Sequence, residues 1–314
     1  MPSDLPTTLL QVIYWLAVAG LVAHFIAYPL VMAVLGWRSL RETQAAGATA
    51  QLSDEALPSV TVVIAALNEE KEIAARMTNL MAQDYPGAKL EILLGSDGSE
   101  DNTVAEARKV ADTRVQVFDF KERRGKTTVL NELIGQAKGS IIVLSDANTV
   151  FAANAIRRLA ERFNEEEVGA VCGELLIQDD AGSENVDSAY WSIEQLLKRG
   201  ETRFGVLLGA NGAIYAIRRD LYEPLPVDTI VDDFTIVFRI VRDRHKGLYA
   251  PEAKAYESSA PDLGGEFRRR VRISQGNFQF LSRYRRDLRQ CRPGWRLAFF
   301  FHKALRWYSP QLLL

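Results

Sequence analysis

Residues 60–101 read VTVVIAALNEEKEIAARMTNLMAQDYPGAKLEILLGSDGSED, a segment in which the spacing of apolar side chains changes twice. Residues 60–66 form a β-branched run that is typical of a buried strand. Residues 69–83 follow with the apolar spacing of a helix, and Asn68 stands where a helix cap is expected. Residues 90–95 are apolar again. The segment therefore predicts a strand, a helix and a second strand parallel to the first.

The same alternation continues beyond this segment. Asp101 can cap a helix that runs through Ala111, and the later elements are a strand over 115–120, a helix over 126–137 and a strand over 141–144. This order predicts an α/β fold, with a mainly parallel twisted sheet and helices on both of its faces. In such sheets the ligand crevice lies beyond the carboxyl ends of the strands.

The second half of the chain contains longer segments. Helices are predicted over residues 150–163, 185–203 and 232–244, and strands over residues 168–177 and 213–217. A tight loop at residues 209–212 precedes the last of these strands.

The N-terminal region contains an apolar run without a charged side chain, from residue 9 to residue 35. Such a run is long enough to cross a bilayer, which disfavours a buried core helix. A cleavable signal peptide is the alternative, but no Lys or Arg precedes the run. Arg38 and Arg41 follow it, so the positive-inside tendency places the rest of the chain in the cytoplasm. We therefore expect an anchor over residues 1–37 and a linker over residues 38–58.

The C-terminal region is strongly basic. Residues 268–306 contain twelve Lys or Arg and one acidic residue, Asp287, in a chain whose formal net charge is −2. A basic segment with aromatic residues suits an anionic membrane surface, and nucleic-acid binding is the alternative. Apolar stretches near the end indicate an approach to further membrane segments. These features predict a folded domain over residues 59–262 and a basic interfacial segment over residues 263–314.

Two nucleotide-binding motifs are excluded by their spacing. Gly125-Lys-Thr-Thr128 resembles the end of a P-loop, but Phe120 occupies the position of the required first glycine. Gly95-Ser-Asp-Gly98 lacks the spacing of the dinucleotide fingerprint and follows the second strand instead of the first. The sequence therefore disfavours a P-loop ATPase and a dinucleotide-binding enzyme.

Acidic side chains follow several predicted strands and are expected at one edge of the sheet. Asp97 follows the second strand, while Asp146 and Asn148 follow the fourth. A hard divalent cation such as Mg²⁺ or Mn²⁺ takes oxygen ligands and shares its shell with substrate phosphates. Lys126 can hold phosphate oxygens. The alternatives are a helix cap for Asp146, an ordinary turn for Asp97 and a solvated surface position for Lys126.

Six short motifs follow one another along the chain. They are Leu67-Asn-Glu69, Ser96-Asp-Gly-Ser-Glu-Asp101, Gly125-Lys-Thr-Thr-Val-Leu-Asn131, Ser145-Asp-Ala-Asn148, Val231-Asp-Asp-Phe234 and Arg269-Arg-Val-Arg-Ile-Ser-Gln-Gly276. In these motifs and their order the sequence resembles family 2 glycosyltransferases, and within them the membrane-bound branch that includes cellulose and hyaluronan synthases and their non-processive bacterial relatives. The resemblance covers about residues 60–280 and implies a GT-A-like fold.

The resemblance implies a role for each residue on the donor side. Asn68 and Glu69 would lie against the nucleoside, and Asp97 would contact the base or the ribose. Asp146 would take the first position of the family's Asp-x-Asp metal motif. Asn148 stands at the second acidic position, with a neutral amide in place of a carboxylate.

The resemblance also implies roles in catalysis and on the acceptor side. Asp233 matches the base that deprotonates the acceptor hydroxyl, and Asp232 precedes it on the same side. A helix cap is the structural alternative for Asp233. Arg272 matches the arginine that steadies the diphosphate. Asn211 and Gly212 fall where relatives form part of the acceptor pocket.

The expected activity is inverting transfer of a sugar from a nucleotide-sugar, most commonly a UDP-sugar, to a lipid-linked or glycan acceptor. The resemblance places the enzyme in the inner (plasma) membrane, in polysaccharide biosynthesis, with a cytoplasmic catalytic domain and no nucleic-acid partner. Ile273 stands where processive relatives have a tryptophan, which weakens the case for a polymerising enzyme. A metal-dependent sugar nucleotidyltransferase and a non-catalytic, nucleotide-binding membrane scaffold remain alternatives.

Overall fold

A computed structural model of the chain describes residues 5–45, 52–178, 186–258 and 263–312. The strands in these ranges are β1 (Val60–Ala66), β2 (Leu90–Asp97), β3 (Val115–Phe120), β4 (Ile141–Leu144), β5 (Val150–Phe151), β6 (Val168–Gln178), β7 (Tyr215–Arg218) and β8 (Lys246–Ser258). The helices there are α1 (Leu5–Val22), α2 (Tyr28–Ala45), α3 (Ile73–Met81), α4 (Thr103–Val110), α5 (Lys126–Gln136), α6 (Ala155–Glu161), α7 (Val186–Thr202), α8 (Asp232–Arg242), α9 (Leu263–Tyr284), α10 (Pro293–Ala298), α11 (Leu305–Trp307) and α12 (Ser309–Leu312).

The strands of the described residues form a mixed sheet in the order β3-β2-β1-β4-β7-β6-β8-β5. Strands β1 to β4 pair parallel to one another, and β6 pairs parallel to β8. Strand β7 is antiparallel to both of its neighbours, and β5 is antiparallel to β8. The predicted mainly parallel sheet is therefore confirmed, with two strands that run the other way.

Side chains of β1 alternate between two hydrophobic cores, as the pleat of a strand requires. Val63 packs in one core with side chains of α5 and α8. Val62 and Ile64 pack in the other core with side chains of α3 and α6. The predicted helices on both faces are confirmed, and the carboxyl ends of β1, β2 and β4 are left open for a site.

The predicted helix at residues 69–83 begins four residues later, at Ile73. Asn68 does not cap it, because its backbone takes the left-handed conformation with a φ of 57°. Its side-chain oxygen instead accepts a hydrogen bond of 2.9 Å from the backbone amide of Glu100. Asn is one of the residues that tolerates this conformation, so Asn68 shapes the turn after β1.

The start of the helix predicted over residues 150–163 was wrong. Val150 and Phe151 form β5 by pairing with Tyr256 and Ala255 of β8, and helix α6 begins at Ala155. Strand β8, which spans 13 residues, was not predicted. Its partners β6 and β5 lie about 80 and about 105 residues earlier in the chain, so local periodicity carries little sign of the pairing.

The N-terminal helix is long and apolar enough to cross a membrane by length and composition, from Thr7 to Trp37 with a mean hydropathy of 2.1. Its helical backbone continues to Ala45, into the segment predicted as a linker. That extension contains Arg, Glu, Gln and Ala, which are good helix formers. Helix α2 packs on α7 so closely that a Cβ built on Gly200 would lie 2.5 Å from the carbonyl oxygen of Met32.

The C-terminal segment, which was predicted as a basic interfacial segment, also contributes side chains to the core. Phe280 of α9, Trp295 of α10 and Phe299 are buried in the same core as Phe238 of α8. The ring centroids of Phe238 and Phe280 are 4.8 Å apart. This part of the segment therefore covers the α8 face of the sheet.

A buried polar cluster joins the N-terminal helix, α7 and the C-terminal helices, and we call it the polar joint. His302 Nδ1 lies 2.7 Å from Glu201 Oε1, and the Tyr28 hydroxyl donates to the same carboxylate over 2.7 Å. Glu194 accepts from Lys303 over 2.9 Å and from Arg306 over 3.1 Å. The cluster places two carboxylates opposite several cationic groups at the point where the three parts meet.

Candidate active site

The crevice predicted at the sheet edge is a cavity of about 470 Å³ beyond the carboxyl ends of β1, β2 and β4. Six side chains predicted from the sequence line it, and they come from segments far apart in the chain. They are Glu69, Asp97, Lys126, Asp146, Asn148 and Arg272. The parallel strands bring these residues to one edge, as expected for this type of sheet.

Lys126 connects the acidic side chains of the crevice. Its Nζ donates to Asp146 Oδ1 over 2.8 Å and lies 3.7 Å from Asp232 Oδ2. Burial favours the neutral amine, but the charges of Asp232 and Asp146 outweigh it and raise the pKa of Lys126. The lysine therefore stays cationic beside two carboxylates, where it can also meet the oxygens of a phosphate.

Asp233 and Asp146 approach the same point from different elements. A Cβ built on Gly212 would lie 3.5 Å from Asp146 Oδ2 and 3.7 Å from Asp233 Oδ2. Asp233 lies in the first turn of α8, and its carboxylate accepts from the backbone amide of Phe234. Burial, followed by the charge of Asp232, raises the pKa of Asp233 to about 6. A carboxylate with such a pKa is a suitable general base near neutral pH.

Asp97 organises the wall of the crevice. Its two carboxylate oxygens accept from the backbone amides of Arg124, over 2.6 Å, and Gly125, over 2.9 Å. Gly125 has a φ of 88°, a conformation that favours glycine. Asp97 thus holds the turn that presents Lys126, in addition to lining the cavity.

Helix α9 presents Arg272 to the crevice. Gly276, one turn later, packs against Ile230 and Val231, and a Cβ there would lie 2.7 Å from Val231. Gln279 accepts from the backbone amide of Ile230 over 3.1 Å. The contacts that position Arg272 therefore also hold the loop that leads into Asp232 and Asp233.

Five of the predicted site residues do not line the cavity itself: Asn68, Asn211, Gly212, Asp232 and Asp233. Gly212, Asp232 and Asp233 adjoin it through Asp146 and Lys126. Asn68 is engaged with the backbone of Glu100. Asn211 accepts from the buried Lys198 over 2.8 Å, and its own backbone amide donates to Cys172 Sγ. The donor role of Asn68 and the acceptor role of Asn211 stay predictions.

Arg123 lines the crevice and was not predicted from the sequence. It belongs to a basic run with Lys121 and Arg124, immediately before Gly125 and Lys126. That run is the signal that would have identified it. Its side chain is exposed and adds a second guanidinium to the cavity that Arg272 lines.

The acidic residues fit a divalent cation that is shared with a diphosphate. In the described part of the chain, no group of three or more His, Cys, Asp and Glu side chains could hold a metal ion unaided. Asp146 offers a carboxylate and Asn148 an amide oxygen, both on the wall of the crevice. Mg²⁺ is commonly bound by one or two carboxylates together with substrate phosphates and water, so this set is sufficient.

Comparison with known proteins agrees with the sequence motifs. The family model described as Glycosyl transferase family 2 matches residues 61–225. The poly-beta-1,6-N-acetyl-D-glucosamine synthase of Staphylococcus aureus (strain COL) is 27% identical over 234 residues, which cover 72% of this chain and 56% of that protein. The chain therefore spans little more than half the length of this curated relative.

Solved structures show the same fold. A mannosyltransferase from Pyrobaculum calidifontis, in complex with GDP-Man and Mn²⁺, has a TM-score of 0.75 and 24% identity, covering 96% of this chain and 85% of that chain. The S. aureus protein TarS has a TM-score of 0.51 and 16% identity, covering 71% of this chain and 40% of that chain. The predicted GT-A-like fold is confirmed.

Proposed function

The chain belongs to glycosyl transferase family 2, and from that premise we propose that it transfers a sugar, with inversion, from a nucleotide-sugar donor to an acceptor hydroxyl at a membrane. The donor is a UDP-sugar, and the acceptor is a lipid-linked saccharide or a growing glycan. The name of the S. aureus relative, a synthase of a polymer of N-acetylglucosamine, supports a role in polysaccharide synthesis.

One observation carries the proposal: Asp146 and Asp233 meet on one side of Gly212, and Lys126 joins the acidic cluster to the wall of the crevice. In an inverting transfer, the acceptor oxygen attacks the anomeric carbon while the diphosphate leaves from the opposite face, so a single base suffices. The reaction needs a base on the acceptor face of the sugar, with the leaving-group site across the sugar from it.

Each residue has a task in this reaction. Asp233 takes the proton of the acceptor hydroxyl. Arg272, Arg123 and Lys126 hold the diphosphate oxygens, and their charges stabilise the leaving group as it gains negative charge. Asp146 and Asn148 would hold a Mg²⁺ or Mn²⁺ ion, which when bound supplies further stabilisation of the diphosphate. The sugar passes through an oxocarbenium-like state, by analogy with glycoside hydrolysis.

The membrane setting is part of the proposal. The apolar helix Thr7–Trp37 would anchor the chain in the plasma membrane, with the crevice on the cytoplasmic side. The basic side chains that follow Arg268 support contact with an anionic cytoplasmic leaflet. A membrane-bound acceptor would then reach the crevice without leaving the bilayer surface.

The test is a screen of radiolabelled nucleotide-sugars with membranes that contain the chain, followed by lipid extraction to separate lipid-linked from polymeric products. We expect label in one of these fractions, and none with the Asp233→Asn variant. Pyrophosphate release in place of sugar transfer would indicate a nucleotidyltransferase. Donor binding without turnover would indicate a non-catalytic scaffold, and either result would refute the proposal.

The cation site is tested separately with Asp146→Ala. Because Asp146 is the carboxylate beside Asn148 in the crevice, its loss should weaken binding of the donor in the presence of Mn²⁺. Binding measured with and without Mn²⁺ should differ in the wild type and become similar in the variant. An unchanged metal dependence in Asp146→Ala would remove Asp146 from the ligand set.

A further inference from the structure

Arg76 is a cation buried beneath the crevice, with 2% of its surface exposed. Its guanidinium lies 4.2 Å from the centroid of the Phe151 ring, and its Nε has no hydrogen-bond partner. Burial lowers the pKa of Arg76 to about 9. A buried charge is costly unless it is compensated, and the negative charges of Asp146 and Glu257 offset part of that cost. Two side-chain hydrogen bonds satisfy the Nη1 and Nη2 atoms of Arg76.

The first of these bonds reaches the loop that carries Asp146. Arg76 Nη2 donates to Ser145 Oγ over 2.7 Å, and Ser145 Oγ in turn donates to the carbonyl oxygen of Ala213 over 2.6 Å. Ser145 directly precedes Asp146, and Ala213 directly follows Gly212. The hydroxyl of Ser145 thus links the two loops that meet above the acidic cluster, and Arg76 fixes its orientation.

The second bond secures the other end of the Asp146 loop. Arg76 Nη1 donates to Asn79 Oδ1 over 2.9 Å. The same amide oxygen accepts from the backbone amide of Phe151 over 2.8 Å, and Asn79 Nδ2 donates to the Phe151 carbonyl over 2.9 Å. Helix α3 therefore grips residues 145–151 at both ends through Arg76 and Asn79.

We propose that Arg76 is a positioning residue that acts through Ser145 to fix the separation between Asp146, on the leaving-group side, and the Gly212–Asp233 side, where the acceptor is deprotonated. This inference rests on the proposed function. Rate depends steeply on such a separation, because reacting groups must lie in near-attack geometry before the bond to the leaving group breaks. Donor binding depends on it less, since Arg272, Arg123 and Lys126 belong to other segments.

The experiment compares Arg76→Gln, Ser145→Ala and the double variant in membranes that contain the chain. Each single variant should lower kcat of sugar transfer by about tenfold to a hundredfold, while KM for the donor changes far less. The double variant should lose no more than the more damaged single variant, because both changes break the same link. Ser145→Ala removes a single oxygen atom, so it tests the link even if Arg76→Gln folds poorly.

Arg157→Gln is the matched control. Arg157 is also a buried arginine, with 6% exposure, and it binds Asp84 and Asp54 away from the crevice lining. This variant should lower the unfolding temperature without lowering kcat at the assay temperature.

Two results would overturn the inference. One is that Ser145→Ala and Arg76→Gln keep the wild-type kcat of sugar transfer, whether or not their KM for the donor rises. The other is additive loss in the double variant, which would show that the two side chains act independently. If the wild-type chain itself transfers no sugar, the proposed function fails together with this inference. If the wild type is active and the variants match Arg157→Gln, the inference about Arg76 alone fails.

Discussion

A substitution of Asp233 can separate donor binding from sugar transfer, because it removes a single charge. Asp233→Asn retains the shape of the side chain but removes the base, so transfer should fall by about 10²- to 10⁴-fold while donor affinity is kept. Transfer of labelled sugar and donor binding by titration measure the two effects. Asp243→Asn, at the exposed end of the same helix, serves as the control and should retain the wild-type rate. Full activity in Asp233→Asn would exclude Asp233 as the base.

The pH dependence of transfer follows from the environment of Asp233. Burial and the charge of Asp232 raise the pKa of Asp233 to about 6, and a base acts in its deprotonated form. Transfer should therefore be full above that pH and fall as the pH drops through about 6. In Asp232→Asn the neighbouring negative charge is gone, so the acid limb of kcat/KM should move to lower pH. A limb that stays in place or moves upward would contradict this account.

Sequence reasoning found the residues whose position follows from the end of a strand. Asp97 and Asp146 could be placed at one edge because parallel strands end there. Arg76 could not be recognised, since its role depends on Ser145, which is distant in sequence. The turn at Asn68 was also misjudged, because a cap and a left-handed turn residue favour the same side chain.

At the scale of elements, the contact of α2 with α7 makes a specific prediction. A Cβ on Gly200 would lie 2.5 Å from the Met32 carbonyl oxygen, whereas a Cβ on Gly135 of α5 would meet nothing within 4 Å. Gly135→Ala should therefore stabilise the protein by about 0.5–1 kcal/mol through helix propensity. Gly200→Ala should destabilise it by about 1–3 kcal/mol, because the helices must separate.

Thermal unfolding of the two alanine variants measures this difference. Since both substitutions add one methyl group within a helix, intrinsic propensity affects them alike and the contact with Met32 decides the sign. An increase in the unfolding temperature of Gly200→Ala as large as that of Gly135→Ala would show that α2 does not pack against α7 in this way.

Strands β1 to β4 were predictable because each is a short run rich in apolar residues, and the first three are each followed by a segment with the apolar spacing of a helix. Strand β8 was not predictable, since it pairs with β6 across about 80 residues and with β5 across about 105 residues. The same long-range pairing places Val150 and Phe151 in a strand, although they directly precede a helical segment. Tertiary pairing overrides local propensity in such places.

At the scale of the whole molecule, the polar joint determines how firmly the helices hold to the domain. Glu194 is buried and faces Lys303, Arg306 and His302. Burial would raise the pKa of Glu194, but the charge of Lys303 and then that of His302 hold it well below the usual range. Glu194→Gln removes the buried carboxylate that Lys303 faces over 2.9 Å, so it should lower the free energy of unfolding by about 3–5 kcal/mol.

The exposed Glu166 offers the matched comparison for this variant. Glu166→Gln should leave stability unchanged within about 0.5 kcal/mol, as is usual for surface substitutions. Thermal unfolding of both variants in detergent provides the measurement. Equal stability of Glu194→Gln and the wild type would mean that the polar joint contributes nothing to holding the parts together.

The sequence revealed the apolar N-terminal helix and the basic C-terminal segment through composition. It did not reveal that Phe280, Trp295 and Phe299 complete the core over α8. These residues alternate with arginines, and such a pattern is typical of a surface that meets a membrane. Composition shows where charges accumulate along the chain. Whether an individual aromatic residue is buried depends on the element that packs against it, which here is α8.

The pairing of β5 with β8 has a consequence for biosynthesis. While the ribosome is still adding residues before Ala255 and Tyr256, the nascent chain has no strand to pair with Val150 and Phe151, so the far end of the segment that carries Asp146 is held by Asn79 but not by β8. Long-range pairings of this kind form late in folding. The enzyme would then be assembled only after the chain has been translated as far as Tyr256, with its N-terminal helix already available for insertion into a bilayer.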